Sequence, residues 1–180
     1  MTALQAIAMG LLMVILDVRV EGWDLIADPL GWGLVVLGLT RMRGPVPRGT
    51  LLGLAVLAGL VSFVSLDAAV LEALDPSMAW LISLLELAFD ITLATVVAQV
   101  LAGHRPDLAR RLRTLRWFFV VAAVMPVLIF GGGAAVLLVP VAVLVIATYV
   151  YYIYLLFRCA APYEEATAPG GDGTGDGPAT

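Results

Sequence analysis

Residues 78–103 read MAWLISLLELAFDITLATVVAQVLAG, twenty-six residues carrying only two charges, Glu86 and Asp90. At a helical rise of ~1.5 Å per residue this run is longer than the ~30 Å hydrocarbon core of a bilayer. The rest of the chain is of the same kind. Of 180 residues, 62% are hydrophobic and 13% charged, whereas soluble domains run at about half apolar and a quarter charged. A soluble core of this size could not hide so much apolar surface, so the solvent expected for most of the chain is lipid.

Six apolar segments can be drawn, at roughly 3–18, 29–39, 50–70, 78–103, 115–130 and 134–157. Arginine placement tests the drawing. All ten basic residues are arginine; Arg41, Arg43 and Arg48 fall between segments two and three, Arg105, Arg110, Arg111, Arg113 and Arg116 between four and five, and Arg158 after six. Six spans put these nine on one side and only Arg19 on the other, which the positive-inside rule makes cytoplasmic and external respectively. The expectation is an all-α integral membrane bundle of about six transmembrane helices (four to six), with both termini cytoplasmic, over residues 1–161. A disordered Gly/Asp-rich cytoplasmic tail is expected over 162–180. One irregular glycine–aspartate repeat there cannot stack as a calcium-binding array. The N-terminus lacks a basic leader region and reads as a retained first span.

The stretch LDVRVEGWDLIADPLGWG places Asp17, Arg19, Glu21, Asp24 and Asp28 between the first two segments. Both flanking segments are short for a bilayer. Either the helices run on, with Asp17 and Arg19 at the outer headgroups, or the pair forms a shallow hairpin over a wet hollow. Asp28-Pro29 suits a helix start. Gly31 and Gly38 share a face and permit close helix packing, as do the small residues Ala58, Ser62 and Ser65 of segment three. The charged hairpin is read as an outer cation site or as a solvated, ion-paired loop.

The run LD·R·EGWDLIADPLGW resembles the hairpin joining the first two spans in a group of small, uncharacterised bacterial membrane proteins, where a D-x-x-x-D-x-x-G-[WY]-like pattern falls on Asp24, Asp28, Gly31 and Trp32. The chain departs from it at Ala27, at Pro29 and in using tryptophan for tyrosine. The resemblance covers about thirty residues. It implies a multi-pass protein of the bacterial inner membrane and supplies no chemistry.

Glu86 and Asp90 lie four apart on one helical face, with Ser83 extending the stripe. An ionised carboxylate at the bilayer centre costs at least ~2.5–3.5 kcal/mol. The pair must share a proton or face a wet or paired interior, with the Ser62–Ser65 face and Arg19 as candidate partners. A polar seam would then run from the outer acids through Glu86 and Asp90 to Gln99. Such a pair can bind a proton or cation, or can glue helices as protonated carboxyls.

Other residues point elsewhere. The stretch RPDLARRLRTLR sets Leu108, Leu112 and Leu115 opposite Arg105, Arg110, Arg111, Arg113 and Arg116, either as a topology signal or as a seat for anionic lipid. Tyr149, Tyr151, Tyr152 and Tyr154 read as an interfacial aromatic belt. One cysteine, Cys159, and one histidine, His104, assemble no metal, haem or catalytic constellation, and no cofactor is expected. Neither a G-x-G-D nor an H-E-x-x-H signature is present, which counts against an enzyme. Nucleic acid is excluded as a partner because no separate basic domain exists. The leading function is a small transporter or ion-conducting protein, in the bilayer and as a homo-oligomer, using the carboxylate pair. The alternative is a non-catalytic membrane scaffold or assembly subunit, and a lipid-processing enzyme comes third.

Overall fold

The computed structural model describes residues 1–16, 19–20, 23–24, 28–64, 76–133 and 135–168. Among these residues six α-helices carry the fold: α1 (Ala3–Ile15), α2 (Asp28–Arg41), α3 (Arg48–Val64), α4 (Pro76–Leu101), α5 (Pro106–Pro126) and α6 (Leu138–Thr167). Two short strands, β1 (Arg19–Val20) and β2 (Trp23–Asp24), pair antiparallel between α1 and α2, with Arg19 opposite Asp24.

Helix starts follow local chemistry. Thr2 caps α1 through a reciprocal capping box with Gln5. α4 and α5 begin on Pro76 and Pro106, where a missing N–H costs nothing, and α2 begins on Asp28-Pro29. The turns use glycine where the backbone is left-handed, at Gly44 (φ +94°) and Gly133 (φ +68°). After Pro126 the α5 ladder widens into a π-turn over Val127–Gly131, followed by a 3-10 turn at Ala135–Leu137.

Three stretches are long and apolar enough to cross a membrane: Trp80–Leu101, Pro106–Ile129 and Leu138–Thr167. α1 and α2, with 13 and 14 residues, reach only ~20 Å at the helical rise. α1 stops at Ile15, and the Leu16 N–H still bonds back to Leu12. The helix therefore does not run on through the charged stretch.

Two boundaries differ from the sequence expectation. The arginine-rich stretch is not a loop before the fifth segment but the opening of α5 itself. Leu108, Leu112 and Leu115 are buried while Arg110, Arg111 and Arg113 are exposed, so one amphipathic stripe joins it to the apolar part. At the other end α6 continues through Pro162 to Thr167, six residues into the segment expected as tail. Residues 169–180 lie outside the described residues.

The helices close a ring in which α1 packs on α2 and α6, α2 on α3, α3 on α4, and α4 on α6, with α5 against α4 and α6. Its interior holds Leu4, Ile7, Val35, Leu39, Phe89, Leu93, Val97, Tyr152 and Leu156. Outward, Trp117, Val124, Val136, Val139, Val143 and Ile146 are exposed. A continuous apolar exterior of that kind is foreign to water-soluble monomers. At the near end of the ring, the Tyr163 hydroxyl donates to the Arg43 carbonyl at 2.7 Å, and the Glu164 carboxylate accepts from Ala3 N at 3.4 Å.

α1 and α2 approach backbone to backbone. A Cβ on Gly31 would lie 2.7 Å from the Gly10 carbonyl oxygen, and one on Gly38 would lie 2.6 Å from Ile7 Cγ1 and 2.8 Å from the Ala3 oxygen. Gly10, which the sequence reading did not single out, is the other half of this contact. A Cβ on Gly33 would meet nothing within 4 Å. Gly31→Ala is therefore expected to lower the stability of the purified protein by about 1–3 kcal/mol, since a backbone oxygen cannot rotate away. Gly33→Ala should be neutral or stabilising. Thermal unfolding in detergent compares the two; equal effects would mean that the helices are not in backbone contact.

Candidate functional site

α4 presents Ser83, Glu86 and Asp90 on one face, and that face lines a cavity of about 330 Å³. Four other helices complete the wall. α1 brings Leu11, Val14 and Ile15 from its last turns, α2 brings Trp32, α5 brings Ala122 and Pro126 from its end, and α6 brings Val141, Val145 and Tyr149 from its first half. All are the ends of helices on the side where the charged hairpin lies. The cavity therefore occupies the hairpin-side half of the bundle.

Asp90 is 2% exposed. The Tyr149 phenol interacts electrostatically with its carboxyl, and the Tyr152 hydroxyl donates to its main-chain oxygen at 3.3 Å. Phe119 holds both phenols edge-on, with ring centroids 5.2 and 5.1 Å away. On the far side, Trp32 packs edge-on against Phe89 at 5.3 Å. Two buried polar atoms have no hydrogen-bond partner among the described residues, and both belong to cavity-lining side chains: Asp90 Oδ1, an acceptor, and Trp32 Nε1, a donor. Orphaned buried polar atoms are rare because each forfeits its hydration. A complementary pair of them facing one hollow marks a place where water or a polar ligand would be held.

Several expectations need correction. Tyr149 and Tyr152 are not members of an interfacial belt. Tyr152 is fully buried and Tyr149 half-buried, both against α4, while Tyr151 and Tyr154 face outward and stack on each other at 6.3 Å. The Ser62 and Ser83 hydroxyls donate to the carbonyls of Gly59 and Trp80 in their own helices, at 2.8 and 2.7 Å. They are not offered to the acids. Gln99 is exposed on α4, so the polar seam does not continue to it. Below Asp90 the helix instead buries Leu93, Ala94, Val97 and Leu101 completely, and this apolar layer closes the cavity toward the arginine-rich end.

Asp17, Glu21 and Ser65 lie outside the described residues. Arg19, Asp24 and Asp28 are described as backbone only, so the expected Arg19 counter-ion lies outside what the structure describes. Among the described residues no group of three or more His, Cys, Asp or Glu side chains is placed to hold a metal ion. Cys159 is buried, which removes it from the surface chemistry a lipid-modified cysteine requires.

Two site residues, Tyr149 and Trp32, were missed by sequence reading. A signal existed for the first: Tyr149, Tyr152, Leu156, Cys159 and Tyr163 recur every three or four residues, the inward stripe of α6. No family model, curated protein or solved structure matches the chain.

Tyr149→Phe deletes the hydroxyl that serves the Asp90 carboxyl, and is expected to cost about 1–2 kcal/mol of stability. Tyr151→Phe, on the outward face, should cost nothing measurable. Indistinguishable melting of the two variants in detergent would show that the Tyr149 hydroxyl does not interact with Asp90.

Proposed function

We propose that this chain is a multi-pass protein of a cell membrane, with both termini cytoplasmic, and that its hairpin-side cavity carries a proton on the Glu86–Asp90 pair as part of a small transporter or ion-conducting protein. The observation that supports the reading is the convergence of two carboxyls, the Tyr149 phenol and two unpartnered polar atoms on one hollow within apolar helices. Intramembrane carboxyls with a polar cavity are the usual parts of proton relays.

Chemistry favours a proton with bound water over a bare metal cation. A hard cation takes about six or more oxygen ligands. Here two carboxyls and one phenol share the wall with an N–H donor, which repels a cation but suits a water molecule bridging to Asp90 Oδ1. The buried layer of Leu93, Ala94, Val97 and Leu101 makes this a site that must be opened from its other side, not an open pore. Pro126 and the π-turn after it interrupt the α5 hydrogen-bond ladder at the cavity wall, and such interruptions are where helices bend. A homo-oligomer would supply the enclosure that six helices of these lengths lack.

The second reading is a scaffold subunit, favoured by that same closed layer. The Asp90–Tyr149 interaction and the Tyr152 bond to Asp90 would then serve only to fix α6 on α4. Proton flux in proteoliposomes under an imposed pH gradient separates the two. Transport predicts flux in the wild type that falls at least about tenfold in Glu86→Gln/Asp90→Asn at equal insertion. Absence of flux in both, with a lower melting temperature in the variant, would leave the acids as structural glue. Orientation is tested separately with Asp24→Cys. A membrane-impermeant thiol reagent should label it from outside intact cells, and lack of labelling in a well-expressed protein would reverse or remove the hairpin-out arrangement.

A further inference from the structure

At the other end of the bundle, α5 and α6 leave a trough of about 420 Å³ whose lining changes character along its length. Arg110, Arg111 and Thr114 stand at one end; Phe118 and Leu144 lie deeper, and Tyr151 flanks the charged end. From Arg110 to Phe118 is eight residues of helix, about 12 Å of descent. A second cavity of about 290 Å³ shares Arg110 and Thr114 and adds Arg113 and Trp117. A cationic seat is thus flanked on both sides by grooves with aromatic walls.

The arginines here differ in their engagements. Arg105 pairs with Asp107 at 3.4 Å, Arg113 donates to the Ala109 carbonyl at 3.3 Å, and Arg116 lies over the Trp117 ring at 5.6 Å. Among the described residues, Arg110 and Arg111 make no ion pair or side-chain hydrogen bond. They stand exposed at the mouth of the trough, with no carboxylate paired to them among the described residues. An apolar groove running into the exposed flank of the bundle, topped by two unengaged guanidinium groups, matches the polarity of one ligand class: an amphiphile with an anionic head and an acyl tail.

We propose that the α5–α6 trough is a binding site for an anionic phospholipid. The phosphate sits at Arg110 and Arg111 with Thr114 beside it, and an acyl chain lies along Phe118 and Leu144. Guanidinium forks suit phosphate oxygens better than single ammonium groups do. The Thr148 hydroxyl is already spent on the Leu144 carbonyl at 2.8 Å, so the deep part of the trough presents no competing polar group from that side chain. The proposal rests on the membrane placement and is independent of the acid cavity.

The test is thermal unfolding of the full chain in detergent, titrated with phosphatidylglycerol, phosphatidylcholine or inorganic phosphate. Expected is a saturable rise in Tm with phosphatidylglycerol alone. Its midpoint should move at least about tenfold higher in Arg110→Gln/Arg111→Gln, since each arginine near a lipid surface contributes ~1 kcal/mol. Arg110→Lys/Arg111→Lys, which keeps the charge, should retain most of the response. Ala147→Phe, which fills the trough without touching charge, should weaken it. Equal responses to both phospholipids, or a phosphatidylglycerol response unchanged in the Gln pair and in Ala147→Phe, would overturn the site. A response to inorganic phosphate equal to that of phosphatidylglycerol would make it a soluble-anion site and overturn the lipid assignment. Membranes carrying the protein are washed at alkaline pH beforehand. Release of the chain would overturn the membrane placement itself, whereas retention followed by a failed titration would overturn the lipid site alone.

Discussion

A carboxyl group inside an apolar helix must find partners from other helices, and Asp90 organises the bundle on that account. It recruits α6 twice, through Tyr149 to its side chain and Tyr152 to its main chain. The two phenols are three residues apart, so both face α4 only when α6 lies along it in one register. Phe119 then fits between the phenols and draws in α5. An apolar contact tolerates sliding by a residue or two; a buried hydrogen bond from a phenol to one main-chain oxygen does not. The acid therefore fixes a register among α4, α5 and α6 that their apolar surfaces alone would leave loose, whatever else it does.

The two short helices meet the same demand from the opposite side. α1 and α2 approach through Gly10, Gly31 and Gly38, close enough for carbonyl oxygens to touch the facing backbone. Small residues at such an interface substitute packing for the hydrophobic drive that lipid removes. The approach carries Trp32 inward, beneath Gly59 of α3, where a Cβ would stand 3.1 Å from the indole's own Cβ. The indole thereby reaches Phe89 and the cavity. Its N–H has no hydrogen-bond partner among the described residues.

Much of this was legible in the sequence where one rule dominated. Asp28-Pro29 placed the start of α2, the spacing of Glu86 and Asp90 put them on one face, and Gly31 with Gly38 gave a shared face on α2. Reading failed where two rules competed for one residue. Tyrosine near the end of an apolar segment suits both a headgroup belt and a buried carboxyl partner, and only the helix register against α4 decides between them. Leu108, Leu112 and Leu115 repeat at helical spacing across arginines, so the stretch could be a loop with a topology signal or the first turns of a helix. The buried leucines settle it as helix. Serine hydroxyls were offered to the acids on spacing alone, yet in an apolar helix the nearest acceptor is the carbonyl one turn back, and Ser62 and Ser83 take it. Gln99 fails for a related reason: it lies nine residues past Asp90, about two and a half turns, which puts it on the face opposite the acids.

The cavity itself follows from a mismatch of lengths. α4 has 26 residues, about 39 Å, and stands beside α1 and α2 at about 20 Å each. α1 begins and α2 ends level with the arginine-rich end, where Ala3 and Arg43 are held by α6, so their opposite ends fall well below the hairpin-side end of α4. Those ends, at Leu11, Val14, Ile15 and Trp32, are the residues that wall the cavity. Glu86, some ten residues into α4, sits about 15 Å from that helix's hairpin-side end. The chain between α1 and α2 must turn at this depth rather than at the level where α4 begins, and it does so with the paired strands that set Arg19 opposite Asp24. The charged hairpin, the two abbreviated helices and the acid pair are in this sense one arrangement, in which short helices create the hollow that makes a buried carboxyl pair tolerable.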